Sequence, residues 1–440
     1  MRRALSLLCL LWIVGQPLYA QSIRESLRSL FRLRNASACG ADALLCISAS
    51  SGISTAEAFS TGVNASAGAL IDFVGSSAAL AVANVPSPST SGGTPFRLSE
   101  AGVLVPNKEK SKGPIFGEWA LTLGRHRFLV GANVSQQQFT TLRGQSTKNL
   151  TFNIAQTDFA PAPLGSPTFE QTYLSVSTHF ALDSRTITGF ATYGLLDAVD
   201  IGVTVPLIRN AFSGYTDAVI VPPAGSTASP YNFGGPAANP RLTDRAVVAP
   251  VEATGIGDIA ARIKWRLTGE NNRLALALFV EGRFPTGDED QLFGTGKFAA
   301  RGLGVASLDA GGGFSPHLNL GYFHRPSSSS VPLRSAFLFT AGADQRLGSF
   351  LTLAADVLGQ LPTGSNQFTS GPVTIQTGPS TTVSFQSSNV PSREDTLLDG
   401  SLGAKITVGA VTAIINGLIP LNQTGLRPDA LLTAGLEFHF

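Results

Sequence analysis

Charge is scarce in this sequence, with Asp, Glu, Lys and Arg together only 14% of 440 residues. Soluble domains usually carry roughly a quarter. A basic excess is missing too. Of 31 basic residues, two lie in an N-terminal leader, against 29 acidic ones, so the rest of the chain is near neutral and no nucleic-acid partner is expected. Long apolar runs are absent. The longest uninterrupted stretches, such as Leu274 to Val280, are the length of a strand. A membrane-spanning helix needs about 20 apolar residues. Cysteine is rare, with 3 residues. Cys9 sits in the leader, and the closely spaced Cys39 and Cys46 are expected to form one small disulfide loop in an exported protein. No Gly-x-Ser-x-Gly element occurs, and none of His126, His179, His317, His324 and His439 sits in a nucleophile motif. Catalysis is therefore not expected, nor is a bound cofactor or metal. Gly294-Thr-Gly-Lys297 departs from phosphate-loop spacing. Calcium takes six to eight oxygens in a fixed array, which three consecutive acids rarely supply, so Asp288-Glu289-Asp290 reads as a solvated loop.

What is present begins with an export signal. Arg2 and Arg3 precede an apolar stretch, Ala4 to Val14. Gly15 and Pro17 break it, and Ala20 offers a cleavage position before Gln21. Residues 1–20 thus read as a signal peptide. Residues 21–116 differ in character from the rest of the chain. Ser22 to Arg34 is amphipathic at helical spacing, with Ile23, Leu27, Leu30 and Phe31 on one face. Beyond it come Ser-, Ala-, Gly- and Pro-rich stretches. This segment reads as a plug, a periplasmic extension, both, or a flexible tail with one helix.

From Trp119 onward the period becomes two. Val199, Ile201, Val203, Val205 and Leu207 alternate with Asp200, Gly202, Thr204 and Pro206. Ile259, Ala261, Ile263 and Trp265 alternate with Ala260, Arg262, Lys264 and Arg266. Twelve strands are expected, starting near residues 127, 172, 198, 255, 272, 298, 315, 335, 349, 395, 410 and 429. Their connections alternate. Residues 140–171, 209–254 and 362–394 read as long loops, whereas Leu196-Asp197 and Leu347-Gly348 read as tight turns. Long loops at one end and short turns at the other characterise an outer-membrane β-barrel, with the short turns in the periplasm. The expected fold is all-β, a transmembrane antiparallel barrel of about twelve strands over residues 117–440, preceded by the partly helical segment. Segment 172–194 exceeds one crossing of roughly 9–11 residues. It must project from the membrane or bend at Asp183-Ser184.

The last strand ends Thr433-Ala-Gly-Leu-Glu-Phe-His-Phe440. A polar residue, then Gly, then aromatics at alternate positions up to the carboxyl terminus resembles the signal read by barrel-insertion machinery. Thr433, Gly435, Phe438 and Phe440 carry it. Further segments are Phe116-Gly-Glu-Trp-Ala-Leu-Thr-Leu-Gly-Arg125, Tyr193-Gly-Leu-Leu-Asp-Ala-Val-Asp-Ile-Gly-Val-Thr-Val-Pro206, Thr254-Gly-Ile-Gly-Asp258, Phe284-Pro-Thr-Gly-Asp288 with Gly294-Thr-Gly296, and Ser315-Pro-His-Leu-Asn-Leu-Gly-Tyr322. Together they resemble the outer-membrane transporter family labelled meta-pathway of phenol degradation, across roughly residues 116–440. The resemblance implies a channel or transporter, often placed beside aromatic-compound catabolism.

Charges on a lipid-facing wall are costly, so Asp258, Arg262, Lys264, Arg266, Glu281, Arg283, Asp344, Asp356, Asp399 and Lys405 are expected to line the lumen. Such residues either brace the wall as ion pairs or form a polar path, and their mixed signs argue against strong charge selectivity. The expected function is a gated or plugged outer-membrane channel for small, hydrophobic or aromatic solutes, with membrane lipid and the insertion machinery as partners. The alternative is a structural or surface-interaction barrel that works through its long loops.

Overall fold

The computed structural model describes residues 21–30, 68–83, 113–155, 172–222, 231–234, 239–269, 272–327, 333–364, 368–378 and 381–440, with four short strands between residues 33 and 106. The expected signal peptide and Cys39 lie outside the described residues. Twelve antiparallel strands close into a barrel. They are β1 Phe128–Leu142, β2 Tyr173–Leu196, β3 Val199–Val221, β4 Ile259–Arg266, β5 Leu274–Phe284, β6 Ala299–Leu308, β7 Phe314–His324, β8 Ala336–Leu347, β9 Leu351–Pro362, β10 Leu397–Val408, β11 Val411–Pro420 and β12 Leu431–His439. Each pairs with its sequence neighbours. The ring closes where β12 meets β1, from Leu432 opposite Gln136 to His439 opposite Leu129. Phe440 extends the seam by exchanging backbone hydrogen bonds of 3.0 and 2.9 Å with Phe128.

The period of two separates the faces. On β5, Val280 is 50% exposed and its neighbour Glu281 is 0% exposed. Leu274, Leu276 and Leu278 share the outer face, and Ala275, Ala277 and Phe279 the inner one. The last strand obeys the same rule, with Leu432, Leu436 and Phe438 exposed and Glu437 and His439 buried. A wall that is apolar outside and polar within suits lipid, and only a closed ring leaves no strand edge unpaired there. Exposed aromatics mark both borders of the apolar band. Phe128, Phe314, Phe350 and Phe440 lie at the short-turn end, and Phe284, Phe298, Tyr322 and Phe337 at the long-loop end. Such girdles sit at headgroup level.

One side of the wall rises beyond this band. β2 and β3 run for 24 and 23 residues. They stay paired throughout, with Asp183 opposite Ala211 and Ser184 opposite Asn210. Pairing is unbroken at Asp183-Ser184, and β2 continues beyond the band as one strand. Residues 209–254, expected as a long loop, are corrected to mostly strand. Thr243–Ile256 pairs with the upper part of β3, and after Gly257-Asp258 β4 pairs with its lower part. The physical reason is a phase reversal. Up to Leu207 the apolar side chains of β3 face out, whereas Ile208, Phe212, Ala218 and Ile220 face in and are buried. On β2, Leu174, Val176, Phe180 and Leu182 likewise face in, while Thr186, Thr188 and Thr192 occupy those positions lower down. Above the lipid the outer face meets water and the inner face becomes a core.

That core closes the mouth. Helix α1, Ile23–Ser29, starts at Ser22, whose Oγ accepts from the Glu25 amide at 3.1 Å. Ile23, Leu27 and Leu30 are buried, and the Leu30 carbonyl accepts from Thr216 Oγ1 at 2.7 Å. The helix is shorter than the amphipathic stretch, because Leu33–Asn35 forms a strand. Helix α2, Gly68–Ala83, buries Phe73, Val74, Ala78, Ala79 and Val82. Both helices join one cluster with Phe139, Phe180, Phe212, Val248, Phe293 and Leu426. The wall also depends on close approach, since a Cβ at Gly321 would lie 2.0 Å from the Gly302 carbonyl oxygen.

Leu278 sits on the outer face near mid-depth and is 46% exposed. Leu278→Arg should destabilise the folded barrel by about 2–4 kcal/mol, measured by reversible urea unfolding in lipid vesicles. No loss of stability would show that this face does not meet hydrocarbon.

Candidate functional site in the lumen

The lower lumen is occupied by the chain itself. Residues 113–123 cross it in an irregular, extended path, with Ile115, Phe116, Trp119, Ala120 and Leu123 buried. Side chains from the inner wall satisfy its backbone. The Glu118 amide donates to Asn319 Oδ1 at 2.7 Å, and Asn319 Nδ2 returns a bond to the Glu118 carbonyl at 2.9 Å. The Ala120 amide donates to Ser307 Oγ at 3.1 Å, and the Leu123 amide to both Asp200 oxygens at 3.1 and 3.0 Å. Lys264 Nζ reaches the Trp119 carbonyl at 3.3 Å. Where the segment passes, the wall carries small residues: Ala275 and Ala277 contact the Ala120 cluster, and Gly403 and Ala354 lie beside Ile115. At the short-turn end, Thr122 Oγ1 donates to the Asp197 carbonyl at 2.7 Å and the His126 amide to Gly194 at 2.7 Å. The first wall strand then begins at Phe128. The expected boundary between residues 116 and 117 therefore falls within this luminal segment.

Charged side chains form separate knots above and beside it. Glu281 is bound by three guanidinium groups, those of Arg262 at 2.7 Å, Arg283 at 2.8 Å and Arg301 at 3.0 Å. The first pair results from register, because Arg262 stands opposite Glu281. Lys264 lies 4.0 Å from Glu118 and 3.9 Å from Asp200. His317 is held between Asp356 at 2.7 Å and Asp344 at 3.6 Å, on three adjacent strands. Gly117 lies against it, and a Cβ there would come within 2.8 Å of His317 Nε2.

Most of the residues expected to line the lumen point into it. Arg262, Lys264, Glu281, Asp344, Asp356 and Lys405 are buried on inner faces. Arg266 is buried and donates to the Asp197 carbonyl at 3.2 Å. Arg283 reaches Glu281, and Asp399 pairs with Arg427. Lys405 lies within electrostatic reach of Glu437. Asp258 is differently placed. In the turn before β4 it accepts from the amides of Gly287 at 3.0 Å and Thr295 at 3.1 Å, and so fastens the loop that carries Gly294-Thr-Gly-Lys297. At the seam, Thr433 faces inward and bonds Ser135 Oγ at 2.9 Å, Gly435 packs on Asn133, and Phe438 and Phe440 face out. Sequence reasoning missed Glu118, Asp200, Arg301, Asn319 and Arg325. Asp200, Arg301 and Asn319 stand at inward positions of strands, so the period of two was the available signal.

Among the described residues, cavities remain along the β6–β11 side. One of about 140 Å³ lies under α2, between Phe73, Leu80, Leu358, Gln360 and Leu418. One of about 90 Å³ lies beside Phe116 and Glu118 and shares Leu358 and Gln360 with the first. One of about 20 Å³ lies near the short-turn end, against Trp119 and Ser315.

These features define a transmembrane β-barrel whose lumen is capped by two helices and crossed by its own N-terminal segment. No known family's sequence profile matches the chain, and no curated protein does. Among solved structures it is similar to an outer membrane channel from Pseudomonas putida F1, at 10% identity and a TM-score of 0.41, over 73% of this chain and 98% of that one. It is also similar to a Pseudomonas aeruginosa FadL homologue, at 11% identity and 0.30, over 71% and 89%. A third is the monoaromatic hydrocarbon channel CymD, at 8% and 0.32, over 72% and 88%. At such values the likeness carries no weight for function, which has to be read from the barrel's own geometry.

Replacing Glu281 by Gln would leave three buried guanidinium groups facing one another. Removing one partner of a buried pair costs about 3–5 kcal/mol, so Glu281→Gln should lower the unfolding midpoint in urea far more than Arg209→Gln, whose ion pair with Glu252 is exposed. Equal effects would mean that the Glu281 knot does not brace the wall.

Proposed function

We propose that this protein is an outer-membrane channel for small solutes, with the luminal segment as its gate. The observation that carries this reading is the string of cavities beside the luminal segment, which itself lines the two lower ones through Phe116, Glu118 and Trp119. Twelve strands lie between the filled eight-stranded barrel and the open pore of sixteen or more. Besides the burial of its apolar side chains, the segment's backbone is held by individual hydrogen bonds with Asn319, Ser307 and Asp200. Bonds of this kind contribute about 0.5–1.5 kcal/mol each, within reach of a thermal or solute-driven shift. In this reading the short-turn end is periplasmic, the raised wall and α1 stand on the outside, and export precedes insertion through the carboxyl-terminal residues Thr433, Gly435, Phe438 and Phe440. The largely apolar lining of the upper cavity favours hydrophobic or aromatic solutes over sugars. A surface-interaction role has one observation of its own: the raised wall carries exposed ion pairs, Arg209–Glu252 and Arg245–Asp217, each at 2.6 Å.

The test is permeation in liposomes. The mature chain, a form lacking residues 21–123 and Asn319→Ala should be compared by solute uptake and single-channel conductance. The deletion must reach residue 123, because removing only 21–116 would leave Trp119 and Leu123 in place. Conductance should rise in the order intact, Asn319→Ala, deleted. No permeation by any of the three would sink the channel reading in favour of the surface role.

A further inference from the structure

The charges of the upper lumen do not balance locally. Arg143 is held by Asp395 at 2.8 and 2.7 Å, Arg334 by Glu394 at 2.9 Å, and Arg427 by Asp399. Arg325 differs. Its side chain donates to neutral acceptors, Gln360 Oε1 at 2.7 Å and the Arg334 carbonyl at 3.2 Å. Its Nε is buried without a partner, and the residue is only 7% exposed. Among the described residues no carboxylate lies within ion-pair distance of it. A buried cation without a counter-ion is costly. The imbalance continues downward. Arg283 and Arg325 both lie over the Phe323 ring, at 5.2 and 4.3 Å. Arg283 in turn shares the single carboxylate of Glu281 with Arg262 and Arg301.

Arg325 opens onto the cavity under α2, and Arg283 and Arg301 onto the one below it. Phe73, Leu80, Leu358, Leu397, Leu418 and Leu431 form the apolar part of the upper cavity's lining, and its other charged members, Arg334, Arg427, Asp395 and Asp399, are already engaged in ion pairs. Its volume of about 140 Å³ suits one ring, since an apolar cavity of about 150 Å³ holds benzene. We propose that this cavity is a binding site for small organic anions, an apolar body seated beneath α2 with its carboxylate on Arg325. The inference rests on the channel reading for its place in transport, but the binding itself does not. A neutral solute of the same shape leaves the guanidinium unpaired, whereas a carboxylate supplies the missing counter-charge and the acceptor for Nε. The paired arginines below then form the next positive step. Two other buried titratable clusters, Lys264 with Glu118 and Asp200, and His317 with Asp344 and Asp356, already hold their counter-charges and lie against the luminal segment.

Benzoate and benzyl alcohol are matched probes, alike in size and differing in charge. Titration calorimetry on the detergent-solubilised mature chain should give benzoate at least about tenfold tighter binding, as expected for one charge-assisted contact. Arg325→Gln should bring the two affinities to within about twofold. Gln360→Glu is the second variant. It places a carboxylate beside Arg325, should not weaken the fold, and should also abolish the preference by supplying the counter-charge from within. The proposal is overturned if benzoate binds the intact chain no better than benzyl alcohol, or if the preference survives Gln360→Glu. Arg325-dependent binding without permeation in liposomes would keep the site and remove the channel.

Discussion

Everything in this molecule depends on completing one ring of backbone hydrogen bonds. Hydrocarbon offers no partner to a free amide or carbonyl, so a sheet can cross it only with no edge left. The pairing of β12 with β1 removes the last edge. Once the ring is closed, the period of two has no freedom left. One set of side chains meets lipid and the other is forced into a narrow space, where each polar group has to find a partner from another strand or from the chain running through it.

The interior meets that demand in two ways. Where wall faces wall, it uses ion clusters such as Arg262–Glu281–Arg301, made by residues opposite one another in register. Where the luminal segment passes, it uses single polar side chains that serve the backbone, Asn319 above all. The first kind is expensive to break and braces the wall. The second kind is replaceable, contact by contact, by water. In the proposed channel this division separates the frame of the lumen from its gate. Above the membrane the problem is reversed, and the raised strands enclose an ordinary hydrophobic core with α1 and α2.

The barrel was legible because its signal is periodic and local. The twelve strand starts and the alternation of long and short connections derive from side chains two apart and from turn residues. The raised wall was only half legible. The change of phase on β3 between Leu207 and Ile208 was written in the sequence, but without lipid as a reference a strand that inverts its faces reads as a loop. The luminal segment was not legible as such. Phe116 falls at the end of the stretch read as a plug or extension and Trp119 and Leu123 in the stretch assigned to the barrel, and it is Asn319, Ser307 and Asp200, each far away in the chain, that hold all of it inside. The inward charges come from the same periodicity. Which of them balance does not, since Arg325 differs from Arg427 only in what stands beside it.

The path of the chain has a consequence for how the protein is made. Residues 23–30 sit at the long-loop end, residues 113–123 descend through the lumen, and the first wall strand starts at the opposite rim. The beginning of the polypeptide is thus encircled by its end. A finished barrel has no side door through which the early residues can be fed, and the seam that seals it joins residues roughly 300 positions apart, the slowest sort of contact to find. Laying the early segment in while β1 and β12 are still separate avoids threading it through the closed ring, with the sheet then assembling around it as around a mandrel.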